Sequence, residues 1–191
     1  MRYDDPDERR RQFETIAVPC MRALYNTALR LTADAHDAED GVQETYLRAF
    51  RTFDNFTPGT NAKAWLFTIL YSVVINRHRR ARREEGPWPV EELEARYRLL
   101  VEPPEGDLAE VEPSSVPLST EVEAALRAVP EVFRTAVILV DVQELSYEEA
   151  ARTLGCPIGT VQSRLFRGRR LLFAALAEYA RRAGFLRSVQ P

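Results

Sequence analysis

"GCPIGTVQSRLFRGRRLL", residues 155–172, poses the question that decides the fold. Read as a helix from Ile158 at about 100° per residue, Val161, Leu165, Gly168 and Leu172 fall on one stripe, which is the buried face. The opposite face carries Gln162, Ser163, Phe166, Arg167 and Arg170. A solvated face rarely places a phenylalanine among arginines, so this face is expected to touch something.

The residues just upstream suggest what. Ser146 with Glu149 predicts a capping box for a short helix ending near Leu154, and "GCP" supplies the turn into the helix above. This is a helix-turn-helix pattern, whose second helix lies in the DNA major groove. Arg167 and Arg170 suit guanine or phosphate, Gln162 and Ser163 suit hydrogen bonds to bases, and Phe166 can pack on a thymine methyl. Before it, Thr120 and Glu123 predict another capping box, for an amphipathic helix with Val122, Ala125, Leu126 and Val129 inward. Pro130 is then expected at the first helical position of a mostly buried helix over 131–142.

Composition excludes several classes. With 191 residues, 45% hydrophobic and 29% charged, the chain can bury a core. No apolar run approaches the roughly 18 residues of a membrane span, and the N-terminus lacks the apolar core of a signal peptide, so a cytoplasmic protein without membrane insertion is expected. Cys20 and Cys156 lie far apart with no CxxC or Cys/His cluster, which argues against a disulfide framework or zinc site. With only His36 and His78, no phosphate-binding glycine loop and no carboxylate pair beside a nucleophile, neither an enzyme nor a cofactor is expected.

Charge divides unevenly. Residues 84–123 hold twelve acids against Arg96 and Arg98, a net −10, which leaves +7 for the rest of a chain whose total is −3. Pro87, Pro89, Pro103, Pro104, Pro113 and Pro117 mark the same stretch as an acidic linker with at most a short helix near 91–100. It separates two helical blocks, each ending in arginines, "RHRRARR" at 77–83 and "SRLFRGRR" at 163–170. A protein that meets nucleic acid twice would look like this.

The N-terminal block decides what kind of DNA-binding protein this is. A first helix is expected over 7–31, with Phe13, Ile16, Leu24, Ala28 and Leu31 in the core and Pro19 as a break. In the second, "DAHDAEDGVQETYLRAFRTF", Ala38, Val42, Thr45, Tyr46, Ala49 and Phe53 form the buried stripe. Leu47 is left on the far side among Asp40, Gln43, Glu44 and Arg51, an apolar centre in an acidic patch that suits a protein partner. After the loop "DNFTPGT", a third helix packs Leu66, Ile69, Leu70, Val73 and Val74 inward. Its outward stripe is Trp65, Thr68, Ser72, Asn76, Arg79 and Arg83. Arginines at its end can hold phosphates, polar groups in the middle can meet bases, and Trp65 can stack on an unpaired base or anchor the core with one wet edge.

Taken together, "DAEDGVQETYLRAF", "FTPGTNAKAWLFTIL" and "LSYEEAARTLGCPIGTVQSRLFRGRRLL" resemble the two domains of an extracytoplasmic-function (group IV) sigma factor of bacterial RNA polymerase, of the sigma-70 family. The resemblance spans nearly the whole chain, from about Phe13 to Leu172. It implies an all-α protein of two small helical domains, 1–83 and 119–191, joined by the acidic linker 84–118. It further implies that Asp37, Asp40, Gln43, Glu44 and Leu47 dock on the clamp helices of the largest subunit of core RNA polymerase, with the flap of the second-largest subunit as another contact. Asn55, Phe56, Thr60, Asn61 and Lys63, with the Trp65 stripe, would capture single-stranded promoter DNA at the −10 element. The last helix would read duplex −35 DNA, with Gln162, Ser163, Phe166 and Arg167 on bases and Thr160, Arg164 and Arg169 nearer phosphates. The linker would thread toward the active-site cleft and RNA exit path, and an anti-sigma factor would regulate the whole.

Ser72 stands where this family often has asparagine, and Gln162 where arginine or lysine is frequent, so exact promoter sequences do not transfer. A stand-alone helix-turn-helix regulator is the alternative. It explains the C-terminal block but leaves the acidic patch, the Trp65 stripe and the acidic linker without roles.

Overall fold

The computed structural model describes residues 5–82 and 119–182. The acidic linker, its expected short helix and Arg83 lie outside the described residues. The secondary structure among them is helical: α1 (Pro6–Ala17), α2 (Met21–Thr32), α3 (Ala35–Arg51), α4 (Ala62–Arg82), α5 (Thr120–Ala128), α6 (Glu131–Val137), α7 (Tyr147–Leu154) and α8 (Ile158–Arg182). They group into two compact units, α1–α4 with α7 in one and α5, α6 and α8 in the other.

In the first unit, Asp5 caps α1 by accepting from the Asp7 backbone N–H at 2.9 Å, and Pro6 takes the position where a missing N–H costs nothing. The break expected at Pro19 is present: residues 18–20 form a 3₁₀ turn between α1 and α2. Asp34 caps α3 through the Asp37 N–H, and Asn61 caps α4 by accepting from the Ala64 N–H at 3.2 Å. Leu24, Ala28, Ala38, Ala49, Leu66, Phe67, Leu70 and Val74 are almost wholly buried, while Ile16, Tyr46 and Ile69, expected inside, are half-buried. Around them runs an aromatic cluster. Phe13 meets Phe50 and Phe53 edge-on at 5.2 and 5.4 Å, and Phe56 lies 5.0 Å from Trp65. Arg9 fastens α1 to the end of α3: its Nη2 donates to the Phe50 carbonyl at 2.6 Å, and its guanidinium sits 4.6 Å from the Phe50 ring centroid. A cation at a helix C-terminus also meets the negative end of the helix dipole.

Helix α7 begins with the expected capping box. Ser146 Oγ accepts from the Glu149 N–H at 3.2 Å, and Glu149 Oε2 accepts from the Ser146 N–H at 2.9 Å. It ends at Gly155, whose φ of 62° is the left-handed conformation that glycine adopts without strain. Helix α7 packs on α4, where Thr68 Oγ1 and Thr153 Oγ1 lie 3.1 Å apart.

Three details of the second unit correct the expectations. The cap of α5 is Ser119, not Thr120, because Ser119 Oγ accepts from the Val122 N–H one residue earlier. Pro130 is extended, with ψ 140°, and therefore precedes α6 rather than opening it. The helix expected to run to Val142 winds as α only to Val137; residues 138–142 make a π-turn, closed by the Gln143 N–H on the Ile138 carbonyl at 2.9 Å. A continuous apolar run buries itself equally well at either winding, so its pattern did not separate them.

Helix α8 packs on both α5 and α6. Val161, Leu165 and Gly168 are buried as expected and Leu172 half-buried. A Cβ at Gly168 would lie 2.6 Å from Val137 Cγ2 and 2.9 Å from the Phe133 carbonyl oxygen, and that second neighbour is backbone. Gly168→Ala is therefore expected to lower stability by about 1–2 kcal/mol, since overpacking exceeds the gain in helix propensity. Gly159→Ala has nothing within 4 Å of the new Cβ and is expected to leave stability unchanged or raised. Denaturant unfolding followed by circular dichroism compares the two.

Candidate nucleic-acid and polymerase interface

On α3, steps of three and four residues bring Asp37, Asp40, Glu44 and Leu47 onto one face, with Gln43 beside them. Leu47 is 53% exposed. Glu44 Oε1 accepts from Arg48 Nε at 2.6 Å, one turn along. The far side of α3 is braced by Tyr46, whose hydroxyl donates to the Ala17 carbonyl at 2.7 Å.

The loop before α4 divides between display and support. Asn55, Thr60 and Asn61 are exposed, and Gly59 has φ +85°, which lets the chain turn back toward α4. Phe56, expected to face DNA, is only 7% exposed; its ring stacks 6.0 Å from Phe53 and backs Trp65. Its ring would have to leave this cluster to meet a base. Trp65 itself is half-buried, a core anchor with a wet edge. Ser72 is exposed, Lys63 and Thr68 are half-buried, and Thr68 Oγ1 also donates to the Ala64 carbonyl at 2.9 Å. The side chains of Asn76 and Arg79 lie outside the described residues, as does Arg83.

Helix α8 presents the strongest outward face. Gln162 and Ser163 are exposed, and Ser163 Oγ donates to the Thr160 carbonyl at 3.0 Å. Phe166 is 60% exposed, and the Arg170 guanidinium lies 5.6 Å from its ring centroid. Arg167 lies 6.0 Å from the Phe133 ring centroid, and Thr160 and Arg164 are half-buried at the margin. Arg169 departs from the expected pattern. Its Nη2 and Nε donate to Asp141 Oδ1 and Oδ2 at 2.6 and 3.0 Å, a two-pronged ion pair. Asp141 was not picked out from the sequence, although a lone acid in the apolar run "VILVDV" is the signal that could have found it.

Among the described residues, no cluster of three or more His, Cys, Asp or Glu could hold a metal ion, and Cys20 and Cys156 form no disulfide. Nor is any helix there long and apolar enough to cross a membrane.

Comparison with known proteins places two conserved regions on these elements. Residues 18–84 match the sigma-70 region 2 family and residues 119–172 the sigma-70 region 4 family. The chain is 41% identical over 160 residues to the ECF RNA polymerase sigma factor EcfG of Rhodopseudomonas palustris, covering 84% of this chain and 81% of that one. It is 39% identical to SigE of Mycolicibacterium smegmatis, over 82% of this chain and 58% of that protein. The solved structure of the sigma factor RpoE in complex with the anti-sigma factor NepR, from Bartonella quintana, is similar with a TM-score of 0.65 and 30% identity, over 87% of this chain and 97% of that one.

Tyr46 supplies a test of how α3 is held. Burial, with a smaller contribution from Cys20, pushes its hydroxyl from the ordinary 10.0 up to about 12. The folded state thus keeps this proton where the unfolded chain releases it. The corresponding stability is intact below pH 10 and is lost as pH rises toward 12. Tyr46→Phe is expected to flatten that part of the stability–pH curve, measured by denaturant unfolding between pH 8 and about 11.

Proposed function

Since this chain belongs to the extracytoplasmic-function sigma factors of the sigma-70 family and directs promoter-specific transcription, we propose that it does so through three surfaces: α3 on core polymerase, α4 with its preceding loop on the −10 element, and α8 on the −35 element. One observation carries this reading. The two most exposed large apolar side chains among the described residues are Phe166 and Leu47, at 60% and 53%. Phe166 stands amid the outward face of α8 and Leu47 at the end of the acidic row on α3, where burial within the unit does not explain them.

Leu47, at the end of the row of Asp37, Asp40 and Glu44 with Gln43 beside them, suits an apolar hollow with a basic rim, the chemistry required of the clamp helices of the largest subunit. Trp65 offers an aromatic edge for an unpaired base, and Asn55, Thr60, Asn61, Lys63 and Ser72 offer polar contacts around it, worth about 1–3 kcal/mol per stacked base. On α8, Gln162, Ser163, Phe166 and Arg167 take the base edges while Thr160, Arg164 and Arg170 take phosphates. The relative from Bartonella quintana was solved with an anti-sigma factor bound, which supports an anti-sigma partner here as well. The chain itself needs no catalytic centre for this work, since bond formation belongs to the polymerase.

Leu47→Ala and Asp40→Arg are expected to weaken capture of core polymerase, Leu47→Ala by about 1–2 kcal/mol, with the fold intact. Arg167→Ala is expected to remove about 1–3 kcal/mol of discrimination at one −35 base pair. A pull-down against core polymerase and a panel of single base-pair changes measure these. Undiminished capture by both α3 variants would remove α3 as the docking surface, and unchanged base preference would remove Arg167 as a reader.

A further inference from the structure

Arg169 sits at the margin of the proposed −35 face, where an arginine is ordinarily read as a phosphate contact. Its surroundings argue otherwise. Two N–H···O bonds from neighbouring nitrogens, at 2.6 and 3.0 Å, reach the two oxygens of the Asp141 carboxylate, so orientation is restrained as well as distance. The two residues are 28 apart in sequence and join the π-turn after α6 to the middle of α8. The residue before Arg169 is Gly168, where the α8 backbone comes closest to Phe133. Consecutive residues thus fix two different freedoms of α8: Gly168 its distance from α6, Arg169 its rotation about its own axis.

From this geometry, and resting on the proposal that α8 reads duplex DNA, we infer that the Asp141–Arg169 pair is a positioning device that sets which side chains of α8 face the base pairs, and that Arg169 makes no phosphate contact of its own. The scale is right for such a role. Side-chain tips lie about 5–6 Å from a helix axis, so a rotation of about 20° carries them roughly 2 Å. Base pairs are spaced by about 3.4 Å, and a productive hydrogen-bond constellation tolerates only about 0.5 Å. A small rotation would therefore take Arg167 and Gln162 out of reach of their bases while leaving general attraction to the backbone intact. Electrostatics agrees. Asp141 neutralises Arg169, so the pair adds little to counterion release, and a bare Asp141 carboxylate near DNA would repel it.

The two roles predict opposite signs for one substitution. If Arg169 were a phosphate contact restrained by Asp141, then Asp141→Ala would free it and tighten binding. As half of a positioning pair, Asp141→Ala must weaken specific binding as Arg169→Ala does. The test uses holoenzyme reconstituted from core RNA polymerase and the full chain. The probes are a duplex enriched by the parent holoenzyme from a random-sequence pool and a scrambled duplex of the same length, each at several salt concentrations. Both side chains are partly exposed, at 43% and 29%, so the effect is modest. Asp141→Ala and Arg169→Ala are each expected to lose about two- to fivefold affinity for the enriched duplex, with the double variant no worse than either single one. In the double variant, which uncovers neither charge, affinity for the scrambled duplex and the salt slope should stay at parent values, and the exchanged pair, Asp141→Arg with Arg169→Asp, should recover part of the loss seen in the single variants. That recovery also separates positioning from damage to the fold. Tighter binding by Asp141→Ala, with a salt slope lowered by about one unit in Arg169→Ala, would overturn the inference and leave α8 as the reader. Parent-like binding by every variant would overturn it equally. Failure of the parent holoenzyme to enrich any duplex would overturn the −35 proposal itself, and this inference with it, before any substitution is made.

Discussion

A Cβ at position 168 would stand 2.9 Å from the backbone oxygen of Phe133, and the second unit is arranged around that missing atom. Only glycine lets α8 lie this close to α6, and the approach buries Val161 and Leu165 on the same side of the helix. Once that side is spent, what α8 shows outward is set to within the small rotation that the Asp141–Arg169 pair is proposed to fix. Ser163, Phe166, Arg167 and Arg170 follow from the helical period. The face proposed to read DNA is thus a consequence of a packing constraint on the opposite face.

The first unit applies the same logic with different materials. Aromatic rings from α1, α3, the loop and α4 pack against one another, edge-on at Phe13, stacked between Phe53 and Phe56 and tilted between Phe56 and Trp65, and Arg9 closes the end of α3. That rigid inside fixes the azimuth of α3, leaving an acidic face that ends in the exposed Leu47, and it presents Trp65 half-buried at the head of α4. Binding to a large assembly is expected to cost less when such surfaces are already ordered.

Much of this was legible in the sequence because the helices are amphipathic and their ends carry explicit signals. The buried stripe of α8, the exposed Leu47, the Ser146–Glu149 box and the break at Pro19 each follow from one-dimensional spacing. The details that escaped depend on choices that spacing leaves degenerate. Ser119 and Thr120 are adjacent hydroxyl residues, and either could cap α5 until a backbone N–H selects one. An apolar run does not reveal whether it winds as α or π, and the π-turn after Val137 is the element that carries Asp141. Phe56 is expected at DNA only through the family resemblance of its loop, whereas its ring packs inward between Phe53 and Trp65, a contact made by the fold of the loop that no helical period records. The partnership of Arg169 with Asp141 is of the same kind, since long-range pairs leave no periodic trace.

On the proposed reading, neither unit acts as a self-sufficient DNA-binding protein, and promoter recognition arises only with the polymerase. A gel-shift titration of the full chain on promoter duplexes, with and without core RNA polymerase, tests this most directly. No sequence-selective complex is expected from the chain alone, and a selective, slowly migrating complex is expected once core enzyme is added. A selective shift by the chain alone, undiminished by Leu47→Ala and unaffected by core polymerase, would contradict that reading and identify a self-contained regulator.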